Sequence, residues 1–153
     1  MNHWRTLIAT LLLAWLSTVS AVADGPAEPV WKAGVSSVKI TPDGPAWMAG
    51  YASRDKPSDG VELDLYAKSL VVQDGSGETL VVVTLDLISV PGPLRKFVEQ
   101  KLAETRGLQP ANLLMNCSHT HSGPEIRTTD SALRGLEPEH REQAIAYVTS
   151  LQK

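Results

Sequence analysis

Thr79-Leu80-Val81-Val82-Val83-Thr84-Leu85-Asp86-Leu87 is the most β-prone stretch of the chain. Three valines in a row show no alternation, which suits a strand buried on both faces. Just beyond it, Pro91-Gly92-Pro93 ends the run and opens a new element. Leu94, Phe97, Val98 and Leu102 then fall at i, i+3, i+4 and i+8, one stripe of a helix. Pro93 suits the first turn of that helix and Gly107 the position just past its end. Residues 112–117 return as a strand. On the upstream side, Asp74-Gly75-Ser76-Gly77 is a hairpin turn signal. It places a second strand at 63–73, with Leu70, Val71 and Val72 at its apolar end. Val35 and the alternation through Val38, Lys39 and Ile40 mark a first strand. Thr41-Pro42-Asp43-Gly44-Pro45 stops it, because two prolines and a glycine cannot continue a ladder. Three strands, a helix and a fourth strand predict an α/β fold: a mixed β-sheet with a crossover helix. A last helix starts at Pro138, with Ala144, Tyr147, Val148 and Leu151 on one stripe.

Composition narrows the function classes. Of 153 residues, 42% are hydrophobic and 20% charged, a globular balance rather than a disordered one. Lys and Arg number 14 against 17 Asp and Glu, a net charge of -3 that excludes a basic nucleic-acid footprint. The single cysteine excludes an intramolecular disulfide framework and any multi-cysteine zinc module. A zinc enzyme would therefore rely on His and carboxylate ligands. Cys117 itself ends the run Leu113-Leu114-Met115-Asn116-Cys117 and reads as a structural strand residue.

The first residues read as an address. Arg5 precedes an apolar segment at 7–16, interrupted only by Thr10, and Ala21-Val22-Ala23 has the small-x-small spacing that signal peptidase accepts. Residues 1–23 are thus expected to be a cleaved signal peptide. The apolar segment is well short of the ~20 residues that span a bilayer, and no second one follows. The mature protein is expected to be secreted or periplasmic, with no transmembrane helix. Residues 24–30, with Gly25, Pro26 and Pro29, form a flexible leader.

The chemistry concentrates in Ser118-His119-Thr120-His121-Ser122-Gly123-Pro124, where a strand ends and a Gly-Pro loop begins. In extended backbone, residues i and i+2 share a face, so His119 and His121 project together with Thr120 opposite. Two imidazoles at a strand end suit one metal ion, and zinc accepts neutral imidazole readily. Paired histidines can equally be hydrogen-bonded structural residues. The loop at 47–60 adds Tyr51, Arg54, Asp55, Lys56 and Asp59, an unusual density of reactive side chains. Asp86 either orients a histidine or bonds to local backbone. His140, near the start of the last helix, reads as a packing or surface residue. No Gly-x-Ser-x-Gly elbow and no phosphate-binding glycine loop is present, and Gly123-Pro124 stand where His-x-His-x-Asp-His needs Asp-His.

Five blocks in order resemble the N-terminal part of the neutral/alkaline (non-lysosomal) ceramidase family. They are Ala33-Gly34-Val35 with Ile40-Thr41-Pro42; Met48-Ala49-Gly50-Tyr51-Ala52; Gly60-Val61 with Tyr66-Ala67-Lys68-Ser69-Leu70; Thr84-Leu85-Asp86-Leu87; and Cys117 through Pro124. The resemblance runs from Trp31 to Arg127. It implies a zinc-dependent amidase that hydrolyses the N-acyl bond of ceramide or a related lipid amide, with His119 as a zinc ligand and His121 beside the metal in a catalytic role. It also implies a further His, a Glu, a Tyr and a catalytic Ser supplied from downstream, which this chain does not contain. Residues 31–153 are accordingly expected to be the N-terminal portion of a larger α/β catalytic domain, apparently truncated, completed by a missing C-terminal segment or a partner chain. Two alternatives stand beside this: a non-catalytic remnant of the family, and another metal-dependent hydrolase with a non-lipid substrate.

Overall fold

The structure is a computed structural model and describes residues 30–129, 133 and 135–152. The expected signal peptide and nearly all of the leader lie outside the described residues. Strands β1 (Lys32–Lys39), β2 (Tyr66–Gln73) and β3 (Thr79–Leu85) precede helix α1 (Gly92–Arg106), strand β4 (Leu113–Cys117) and helix α2 (Pro138–Ser150), with a short 3-10 turn at Pro110–Asn112. The sheet order is β1-β2-β3-β4. β1 and β2 pair antiparallel, as do β2 and β3, while β3 and β4 run parallel across α1. This is the mixed sheet with a crossover helix that the hydrophobic pattern predicts.

The local signals act as their chemistry requires. Asp74 Oδ1 accepts from the backbone N–H groups of Ser76 and Glu78, which closes the β2–β3 hairpin, and Gly77 supplies φ 94. Gly107 ends α1 in the left-handed region at φ 68 and donates its N–H to Ala103 O. Leu94 is buried on the inner face of α1, with Phe97, Val98 and Leu102 half-buried behind it. The stripe on α2 holds as well. Ala144 is buried, and Tyr147, Val148 and Leu151 pack against the main core. Tyr147 Oη donates to Ile40 O at 2.6 Å, tying α2 to the end of β1.

Burial raises the pKa of the Tyr147 phenol above its ordinary value. In the unfolded chain that phenol ionises near pH 10. Its contribution is therefore intact below about pH 10 and declines above it, where the unfolded state gives up its proton first. We expect Tyr147→Phe to cost about 1 kcal/mol at neutral pH and to flatten the alkaline limb of the stability curve, measured by urea unfolding across pH.

Two sequence expectations need correction. β2 begins at Tyr66 and not at Leu63, because Thr41 holds the preceding residues in a loop. Its Oγ1 donates to Asp64 Oδ1 and accepts from Leu65 N. The valine run of β3 is also buried on one face only. Val81, Leu85 and Leu113 face the core, whereas Val35, Leu70, Val82 and Leu114 share one row across the opposite face. Val35 is 83% exposed in that row and Leu114 47%.

The innermost cluster comprises Ala49, Leu85, Leu87, Ile88, Leu94 and Ile126. Leu85 ends β3, Leu87 and Ile88 lie in the segment just after it, Leu94 is on α1, and Ala49 and Ile126 come from one loop each. Those two loops carry the candidate site, so the core directly supports it.

Candidate functional site

β4 ends at Cys117, whose side chain is half-buried against the core. The chain leaves the sheet at Ser118, whose N–H still bonds Leu85 O at 3.0 Å. His119 then adopts φ 55 and is the only non-glycine with positive φ among the described residues. Such a conformation costs a residue with a Cβ of order 1–3 kcal/mol and persists only where its surroundings fix it. The two histidines therefore meet by a route other than strand alternation. Their ring centroids lie 5.3 Å apart with planes at 57°. Ser118, Thr120 and Ser122 instead line a cavity of about 630 Å³ that includes Asp86 and Leu63.

A second segment holds this loop in place. Ala49 N–H donates to Gly123 O at 2.9 Å and Glu125 N–H to Trp47 O at 2.7 Å, an antiparallel clasp centred on Met48 and Pro124. The clasp brings the 47–60 loop against the histidines. Arg54 Nη2 donates to His121 O at 2.6 Å, and its guanidinium lies 5.4 Å from the centre of the Tyr51 ring. Tyr51 in turn makes an edge-on contact with His121, centroids 4.9 Å apart at 72°. Of the reactive residues in that loop, Tyr51 and Arg54 join the site. Lys56 and Asp59 pair with each other at the surface at 2.9 Å.

Asp86 resolves to its local-backbone role. Its Oδ2 accepts from Tyr66 N, and its own N–H donates to Tyr66 O, so it closes the end of the β2–β3 ladder. No hydrogen bond to either histidine is found among the described residues. His140 packs against Trp47, ring centroids 5.0 Å apart, and not against the histidine pair.

Glu125, unremarked in the sequence, is the one charged side chain buried among the described residues, at 3% exposure. Oε1 accepts from the backbone of Ile126 and Arg127, and the Arg127 guanidinium reaches both carboxylate oxygens, at 2.8 and 2.6 Å. The Glu125 hydrogen bond holds the Arg127 pKa above its ordinary value despite partial burial. Glu125 gives its own N–H to the clasp while its carboxylate binds the next two backbone N–H groups, so it fixes the chain at the exit of the histidine loop. We expect Glu125→Ala to destabilise the fold by about 2 kcal/mol, read as a lower urea midpoint at unchanged slope.

The donor chemistry of the pair suits zinc, since His119 is exposed and imidazole is a common ligand. A catalytic zinc uses three protein ligands, and no cluster of three His, Cys, Asp or Glu side chains able to hold a metal occurs among the described residues. No helix of the described residues is long and apolar enough to cross a membrane.

Comparison with known proteins gives a family match and two likenesses of fold. The family model for neutral/alkaline non-lysosomal ceramidase, N-terminal, matches residues 31–144. A solved ceramidase complexed with C2 superposes with a TM-score of 0.65 at 22% identity, covering 80% of this chain and 20% of that one. Neutral ceramidase from Pseudomonas aeruginosa superposes with a TM-score of 0.62 at 21% identity, covering 78% and 20%. At these identities the likeness to the two structures is one of fold. This chain spans about a fifth of the length of each. No curated protein matches it.

Proposed function

The chain belongs to the neutral/alkaline non-lysosomal ceramidase family, and on that premise we propose that it carries part of the site of a zinc-dependent amidase acting on the N-acyl bond of ceramide or a related lipid amide. The observation that carries this reading is the meeting of the His119 and His121 rings, 5.3 Å apart, at the end of β4. His119 would hold the metal through its imidazole. Zinc, when bound, would supply Lewis-acid polarisation of the amide carbonyl and an activated water. The remaining steps belong to the chain and the substrate. Water adds to the acyl carbon, the C–N bond breaks, and the amine leaves with a proton. In this reading His121, whose ring lies beside that of His119, carries that proton, since general acid catalysis needs a donor beside the leaving nitrogen. The products are a fatty acid and a sphingoid amine.

Export is part of the same reading. The apolar segment at 7–16 followed by Ala21-Val22-Ala23 supports a secreted or periplasmic protein.

One observation favours a second reading, in which the chain contributes to the site without turning over alone: no third His, Cys, Asp or Glu ligand joins the pair among the described residues. A single assay separates the two. Zinc binding is titrated by calorimetry, and fatty acid release from a short-acyl ceramide is measured with and without zinc. Binding with release supports the amidase, and binding without release supports the contributing module. Neither binding nor release contradicts both.

A further inference from the structure

The geometry points to Gly50, Tyr51 and Arg54 as positioning residues that hold the His121 imidazole against the 47–54 loop, with its Cγ–Nδ1 edge packed on Gly50 and Nε2 on the side of the ring away from it. The inference rests on the reading of His121 as the proton-carrying residue and says how the chain orients it.

Gly50 has φ 107, a conformation that residues with a Cβ rarely adopt. Space is the stronger constraint. A Cβ at position 50 would lie 2.5 Å from His121 Cγ, 2.6 Å from Nδ1 and 2.8 Å from Cβ. The imidazole therefore occupies the volume that any other side chain would need. Its Cγ–Nδ1 edge lies against the backbone, and Nε2 sits across the ring from that contact. Tyr51 closes a second side of the ring by its edge-on contact at 4.9 Å. Arg54 fixes the third coordinate, the backbone carbonyl of His121, with a 2.6 Å charge-assisted hydrogen bond. Its other terminal nitrogen is 3.6 Å from Met48 Sδ, which anchors the guanidinium to the clasp. Every one of these groups acts on residue 121, and none of the described contacts fixes the ring of His119 in this way. A ring free to rotate about χ1 and χ2 would present either nitrogen. Packing against Gly50, with Tyr51 and Arg54 closing the other sides, restricts that rotation, and held geometry of this kind is what proton transfer requires.

The test uses the 153-residue chain with nitrogen-15 and proton NMR of the histidine side chains. In the wild type, His121 is expected to show cross-relaxation with Tyr51 ring protons and one set of ring resonances. Gly50→Ala should abolish the Tyr51–His121 cross-peaks and shift the His121 ring nitrogens, while sheet amide resonances of β2 and β3 stay in place. Arg54→Ala should weaken the same cross-peaks and Arg54→Lys should restore them in part, since lysine keeps one donor for the carbonyl. If Gly50→Ala does not fold, the Arg54 pair alone decides. Unchanged His121 nitrogen shifts and intact Tyr51–His121 cross-peaks in the folded variants would overturn the inference, even if zinc binding at His119 stands. Loss of the cross-peaks in the variants would sustain it, even if no zinc binds and the functional reading fails.

Discussion

Replacing His119 with alanine should lower zinc affinity by at least about 100-fold, since removing even the partners that orient a metal ligand costs 10–100-fold. Any zinc-dependent release of fatty acid should fall with it. The backbone adds a second signature to this prediction. His119 holds φ 55 because Ser118 is tied to Leu85 O on one side and Ser122 N–H bonds Thr120 Oγ1 on the other. Alanine keeps the Cβ and so keeps the strain, whereas glycine relieves it. His119→Gly is therefore expected to fold at least as stably as His119→Ala while binding zinc no better. A side chain retained only for packing would give the opposite pattern, with stability lost and metal binding unaltered. Calorimetric zinc titration and thermal unfolding of the two variants together check it.

Leu87→Ala should cost about 3 kcal/mol, the middle of the range for large-to-small changes at fully buried sites. For a domain of this size that lowers Tm by roughly 10 °C. Leu87 is 0% exposed and clusters with Ala49 and Ile126, which belong to the two loops of the site. The cavity it leaves opens beneath the clasp between Ala49 and Gly123. The histidine pair should accordingly loosen along with the fold, seen as broadened His121 resonances. Val35→Ala is the matched control. Its side chain is 83% exposed on the open face of the sheet, and its loss should change stability by no more than about 0.5 kcal/mol. A Leu87→Ala variant as stable as that control would contradict the placement of the core under the site.

Much of this fold is legible in the chain because its signals are local. The 3.6-residue stripe through Leu94 and Leu102, the Asp-Gly turn at Asp74 and the terminating Gly107 each act within a few residues of themselves. Tertiary partners are less legible. Val81, Val82 and Val83 report that a strand is apolar and not which of its faces is covered, and the face of Val82 and Leu114 is open. The His-Thr-His spacing points to two rings that share a side, and the rings do meet, although strand alternation is not what joins them. The left-handed turn at His119 is fixed by bonds to Leu85 and to Thr120, neither of which a two-residue period can express. Gly50 stands in the Met-Ala-Gly-Tyr-Ala block with no turn of its own to explain it. Its reason lies 71 positions away in the ring of His121. Glu125 was missed because a single Glu beside Ile126 carries no sign that Arg127 folds back onto it.

Zinc titration of the wild-type chain beside His119→Ala, with fatty acid release from a short-acyl ceramide followed in the same samples, tests the proposed role of His119 as a zinc ligand in amide hydrolysis. Zinc is expected to bind the wild type, and both binding and any release it supports are expected to disappear in the variant. Equal zinc binding in the two proteins, or release of fatty acid that survives in His119→Ala, would contradict it.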